Sequence, residues 1–205
     1  MQLVLLSESR GNTKLRKSER VEYRIRGLSL APGSAAICPH ATNSCRISCV
    51  GSVNVGMSSV FPSIQAGRDR KTEWFLRDRK GFIEQLRKEI RHEQQIAEND
   101  GEQLVLRLNT YSDLDWSRIA AEFHDIVFYD YSKTHSRWLR IVRGDWPKNY
   151  HVTFSWSDEI EHQEWCARIL AEGGNVAIPF ANTGRGFCGH GAYRQQLPGF
   201  WEIGG

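Results

Sequence analysis

The chain has 205 residues, enough for one well-filled core and too few for several independent domains. Hydrophobic residues make up 40% and charged residues 25%, which excludes a disordered or fibrous chain. The formal charge is only +3, no apolar run reaches bilayer-spanning length, and the N-terminus puts an apolar patch before its charges, the reverse of a secretory signal, so a cytoplasmic protein without a membrane partner is expected.

In chain order, the first clear signal is a strand over residues 23–30, where Tyr-Arg-Ile-Arg-Gly-Leu-Ser-Leu alternates. A long segment rich in Gly, Ser, Pro and Cys follows over 31–61, and loops of that length in a compact domain are functional or tied down. Residues 62–99 read as helix, with Phe82, Ile83, Leu86 and Ile90 on one face and a break near Gly81. From there the pattern repeats. Strands are expected at 103–108, 126–129, 150–154 and 175–178, and helices at 115–123, 134–142 and from about 157 to 172. Strands separated by helices of this length imply parallel pairing. The expected fold is α/β, an incomplete (β/α) barrel of parallel strands in one domain over 1–205, with the long Cys-containing loop after its first strand.

Polar residues collect where these strands end, the usual place for chemistry in parallel sheets. Arg107, Asn109, Ser112 and Asp113 follow one strand, Asp130 and Lys133 the next, Ser155 the third and Asn182 the fourth. Asp113 and Asp130 at successive strand ends are candidates for acid, base or nucleophile, with Lys133 beside them to pair with Asp130, bind phosphate or act as a base. The alternative for Asp113 is a helix cap. Alternation puts Arg107 and Asn109 on one face with Val105, and an inward Arg needs a carboxylate or a ligand phosphate. Tyr129 is placed to stack on a base or to fill core. Two basic groups, Arg10 to Arg26 and Arg68 to Lys80, can contact phosphates or form solvated helix faces.

Five cysteines without an export signal do not read as a disulfide framework. Cys38, Cys45 and Cys49 fall in one loop with the spacing C-x6-C-x3-C, and clustered soft sulfur suits zinc or an iron–sulfur cluster. His40, Cys188 or His190 could complete a closed zinc site. The order of strand, Cys-rich loop, helix and βα units resembles the layout of radical S-adenosylmethionine enzymes. That resemblance implies a [4Fe–4S] cluster on Cys38, Cys45 and Cys49, with S-adenosylmethionine on its open iron. The usual spacing in that family, C-x3-C-x2-C, is tighter than the one here.

Several phrases together resemble the gene-product-88-like family of small phage and plasmid proteins. They are Gly11-Asn-Thr-Lys14, Leu28-Ser-Leu-Ala-Pro32, the Cys38-Pro…Cys45…Cys49 loop, Arg70-Lys-Thr72, Arg107-Leu-Asn109 with Ser112-Asp113, Phe128-Tyr-Asp-Tyr-Ser-Lys133, and Gly173-Gly-Asn-Val176. The resemblance implies a phage or mobile-element origin. The leading expectation is a metalloenzyme of radical type acting on a nucleotide or nucleic acid. One alternative is a zinc-stabilised protein that binds or modifies nucleic acid, for instance by base exchange. Another is a non-catalytic phage protein that binds a host factor.

Overall fold

The computed structural model describes residues 3–8, 22–51 and 61–179. Asn182, Cys188, His190 and the basic residues Arg10 to Arg20 lie outside the described residues, so the roles expected of them are not placed. The chain runs β1 (Leu6–Glu8), β2 (Tyr23–Leu28), α1 (Asn43–Ile47), α2 (Pro62–Arg77), α3 (Arg79–Asp100) and β3 (Gln103–Arg107). It continues through α4 (Ser117–Glu122), β4 (Val127–Ser132), α5 (Ser136–Val142), β5 (Tyr150–Ser155), α6 (Ile160–Ala171) and β6 (Asn175–Ala177).

The six strands form one sheet in the order β1-β2-β3-β4-β5-β6. Among the described residues only the β1–β2 pair is antiparallel. Among the described residues no pairing joins β6 to β1, so the sheet is open. The parallel βα repeat matches expectation. The strand expected to be first is in fact second: β1, three residues long, pairs with it on the outer edge. The Cys-containing segment therefore follows the first parallel strand, and it carries a short helix of its own, α1, capped by the Thr42 hydroxyl accepting from the Cys45 amide.

The two faces of the sheet differ. Register puts Leu106, Phe128, Tyr150 and Leu28 on one face, with Val152 and Phe154 two and four residues on. These residues join Phe82, Leu86 and Ile90 of α3, Ile119 of α4, Trp138 of α5 and Ile169 of α6 in one buried apolar cluster. The other face carries Ile25, Val105, Arg107, Tyr129, Tyr131, Thr153 and Ser155. Ile25 is buried there without belonging to that cluster.

The break between α2 and α3 falls at Asp78, whose carboxylate accepts from the Gly81 amide and caps α3. A Cβ on residue 81 would collide with that carboxylate, which accounts for the glycine. Gly101, at φ 69°, ends α3 in the left-handed conformation. On the core face of β2, Arg24 and Arg26 each reach Glu93 of α3 at 2.8 Å. The second basic group is also engaged in holding the fold. Arg68 is buried, stacks on Tyr111 at 4.0 Å and donates to the Gly51 carbonyl. Lys71 donates to the Leu5 carbonyl, and burial pulls its ammonium below its usual range.

Candidate functional site

The loops after β2, β3, β4 and β5 meet at the carboxyl ends of the parallel strands. The Cys-containing segment is pinned there by the Asp113 amide donating to the Ile37 carbonyl at 2.9 Å, and by the Cys38 thiol donating to the Tyr111 carbonyl at 3.5 Å. Ser44 of α1 donates to the Asp158 carboxylate in the β5–α6 connection. The segment thus spans the loops of three successive strands.

Two polar hubs organise this edge. In the first, Asp130 is 2% exposed on the core face of β4. Its oxygens accept from the Asn109 amide at 2.9 Å, the Asn109 side-chain nitrogen at 3.0 Å and the Tyr150 hydroxyl at 2.7 Å. Burial pushes this carboxyl up to about 7, against the opposing pull of the Tyr150 and Asn109 hydrogen bonds and of Arg107. The Asn109 side-chain oxygen accepts from the Ser112 hydroxyl, the Leu114 amide and the Trp116 indole. Asn109 does not follow Arg107 onto the second face as alternation predicts. The strand ends at Arg107, and the chain turns the amide inward to serve the loop.

In the second hub, one Asp113 oxygen accepts from the Ser132 hydroxyl at 2.8 Å and from Arg137 at 2.7 Å. The other accepts from the Lys133 amide at 2.9 Å and the Thr134 hydroxyl at 3.0 Å. Arg137 is buried and donates as well to the Asp113 carbonyl. Asp113 does not cap α4. The N-cap position is Trp116, without a side-chain cap, and Asp115 just before it accepts from the Ser117 amide. Asp113 and Asp130 share no hydrogen-bond partner; each gathers its own donors, while the Arg137 charge paired with Asp113 also pulls on Asp130. Lys133 does not pair with Asp130 either; among the described residues its ammonium has no ion pair, and its charge acts on His135, His162 and Cys166.

Arg107 is different. It is 7% exposed on the second face, its guanidinium lies 4.8 Å from the Tyr131 ring and 5.8 Å from the Tyr129 ring, and its Nε is buried without a hydrogen-bond partner. Among the described residues no carboxylate reaches it within ion-pair distance. Tyr131 is 43% exposed. Thr153 pairs in register with Tyr131, and Ser155 lies two residues further along the same face. This corner joins a positive charge, two aromatic faces and small hydroxyls.

Cys38, Cys45 and Cys49 are all half-buried free thiols. Burial pushes the Cys38 thiol up, and Cys49, Asp113 and Cys45 add to the rise, so the three sulfurs lie within electrostatic reach of one another. Among the described residues no three His, Cys, Asp or Glu side chains are gathered closely enough to hold a metal ion.

A last cluster escaped sequence reading. His40, His135 and His162 come from three different loops and helix ends, at spacings that carry no signal. His135 stacks on Trp165 at 5.8 Å and meets His162 edge-to-face at 4.6 Å. Burial, reinforced by His162 and His40, pushes His135 down to about 4.

Compared with known families, residues 5–196 match the family described as gene product 88. No curated protein and no solved structure matches the chain.

Proposed function

We propose that this chain, which belongs to the gene product 88 family, binds a nucleotide or nucleic acid through Arg107, Tyr129 and Tyr131 at the carboxyl end of its sheet. The observation that carries the reading is the buried guanidinium without an acidic partner. Desolvating a cation costs several kcal/mol, by order of magnitude, unless an anion compensates it. Asp130 lies on the opposite face of the sheet and is already hydrogen-bonded, so it answers that charge only at long range. A phosphate seated on Arg107 would complete the pair, and bases stacked on Tyr129 and Tyr131 would use the aromatic faces beside it, at roughly 1–3 kcal/mol per base. Asp113, Asp130 and Asn109 then act by holding the loops in place rather than by touching substrate. The sheet, in this reading, is one wall of an incomplete barrel, and the protein works in the cytoplasm.

The test is fluorescence anisotropy with a labelled single-stranded oligonucleotide. Arg107→Gln is expected to weaken binding at least tenfold with a shallower salt dependence, and Tyr131→Ala several-fold. Equal binding by wild type and by both variants, with unchanged circular dichroism, would overturn the reading.

A second reading is supported by the mutual electrostatics of the three thiols. Cys38, Cys45 and Cys49 would hold a metal, either zinc or the [4Fe–4S] cluster of a radical S-adenosylmethionine enzyme. Their soft sulfur suits both. Such a centre would add to the anion site the chemistry of a nucleotide- or nucleic-acid-modifying enzyme.

A further inference from the structure

The second face of the sheet is almost free of charge. Pairing register places the odd-numbered residues of all six strands on that face. Among those described strand residues Arg107 is the one Lys or Arg, and no Asp or Glu stands with it. Glu8, Arg24 and Arg26 all belong to the core face. The Arg107 Nε is buried without a hydrogen-bond partner, on a residue only 7% exposed. Its guanidinium reaches two rings of the neighbouring strand, Tyr129 at 5.8 Å and Tyr131 at 4.8 Å. The two tyrosines are separated by one residue of β4, so they stand about 6.6 Å apart along the strand. Thr153, in register with Tyr131, and Ser155 beyond it add hydroxyls from β5.

We propose that the anion taken by Arg107 is an internal phosphodiester of a single-stranded nucleic acid, flanked by two unstacked bases. The proposal rests on the reading of the Arg107 corner given above and narrows its ligand. One guanidinium balances the single negative charge that a diester linkage carries. A nucleoside triphosphate brings several charges, and sites built for it supply further cations or carboxylates that hold magnesium. The described strands offer neither on this face. Position argues the same way. A cation within reach of two rings sets its phosphate beside both, so that phosphate is the one joining the two stacked bases. A terminal phosphate would leave one ring unused. Spacing excludes a duplex, in which successive nucleotides of a strand follow at about 3.4 Å, half the separation of the two rings. Only a strand drawn out of its stack can lay neighbouring bases on Tyr129 and Tyr131. The Thr153 and Ser155 hydroxyls are uncharged donors that suit the second non-bridging oxygen of the diester.

The salt dependence of binding to a labelled oligothymidylate counts the phosphates engaged. One phosphate of a single strand gives a slope of log K against log salt of about −0.7, and Arg107→Gln is expected to bring it towards zero. In competition against that oligonucleotide, the dinucleotide thymidylyl-(3′→5′)-thymidine is expected to outdo its neutral methylphosphonate analogue at least tenfold. It should also outdo thymidine triphosphate, with or without magnesium, at least fivefold, and a duplex should compete at least tenfold more weakly than a single strand of equal length. A slope of about −2 or steeper would overturn the proposal. So would a dinucleotide that competes no better than its methylphosphonate, or a triphosphate or duplex that competes as well as its counterpart. Any of these, with oligonucleotide binding still lost in Arg107→Gln, leaves the anion site standing. An oligonucleotide bound equally by wild type and Arg107→Gln removes both.

Discussion

Asn109 occupies both oxygens of Asp130 by itself, its backbone amide on one and its side-chain nitrogen on the other, at 2.9 and 3.0 Å. One residue at the end of β3 thereby fixes the middle of β4, while its remaining acceptor gathers the loop that follows.

That concentration of roles makes Asn109 costly to change. Asn109→Ala leaves the Leu114 amide, the Trp116 indole and one bond of Asp130 without their partner. Each buried group left unsatisfied costs about 1–3 kcal/mol, so a loss of about 3 kcal/mol or more is expected by urea denaturation. Asn109→Asp is expected to be worse than Asn109→Ser at pH 8, because it sets a second carboxylate against Asp130.

Asp130 and His135 act on stability with opposite sign. Asp130 is raised from 3.8 to about 7, so between those values the folded state holds a proton that the unfolded state has released. Its contribution is complete below about pH 4 and is lost as pH rises towards 7. His135 is lowered from 6.5 to about 4, so in acid the unfolded state binds the extra proton and stability falls as pH drops through that window. Denaturation midpoints from pH 4 to 8 are expected to change little in the wild type. In Asp130→Asn the His135 slope, to which His162 adds in the same direction because burial lowers it too, is no longer opposed by Asp130, and stability should rise steadily from pH 4 to 6.5. A wild-type and variant profile of the same shape would remove the assignment.

Asp113 tests whether the second clamp is structural or chemical. Its pair with Arg137 is buried on both sides, and breaking such a pair costs about 3–5 kcal/mol. Asp113→Ala is expected to lower thermal stability strongly while the folded fraction keeps its oligonucleotide affinity. Arg137→Ala should resemble it. Full stability with lost affinity would instead place Asp113 at the ligand.

For the thiols, protein purified without oxygen and analysed for iron, sulfide and zinc separates the metal readings. Bound metal at a fixed ratio per chain, lost in Cys45→Ser, is the expected outcome if the three sulfurs share a centre. Iron with sulfide points to the cluster and zinc alone to a closed site. A folded protein without either metal would set the cysteines down as reduced loop thiols.

Periodicity made most of the architecture legible. Ile119 and Ala120 in α4, Trp138 in α5, and Leu104 and Leu106 in β3 with Leu108 just past its end show their burial directly as spacing, because one core accepts them all. β1 was missed because three residues give no period, and α1 because a helix of five residues inside a Gly/Ser/Cys stretch has none either. At the site, the gathering of polar side chains at strand ends was visible, but their partners were not. Arg137 and Asp113 lie 24 residues apart, and nothing local marks the pair. Nor could spacing reveal that Asn109 would turn inward while Arg107 stayed unanswered, since that depends on where the strand stops. The histidine cluster needs three loops in place before its members meet.

The strands stand in the sheet in the order in which they occur in the chain. Each one pairs only with its immediate predecessor and successor, so a chain emerging from the ribosome can add one βα unit at a time to a growing edge. The exception is the β2–β3 pairing, which must wait for both long helices to be made. Until then, among the described residues, β1 is the one strand paired with β2, and that interval is when a nascent chain is most exposed to misassociation.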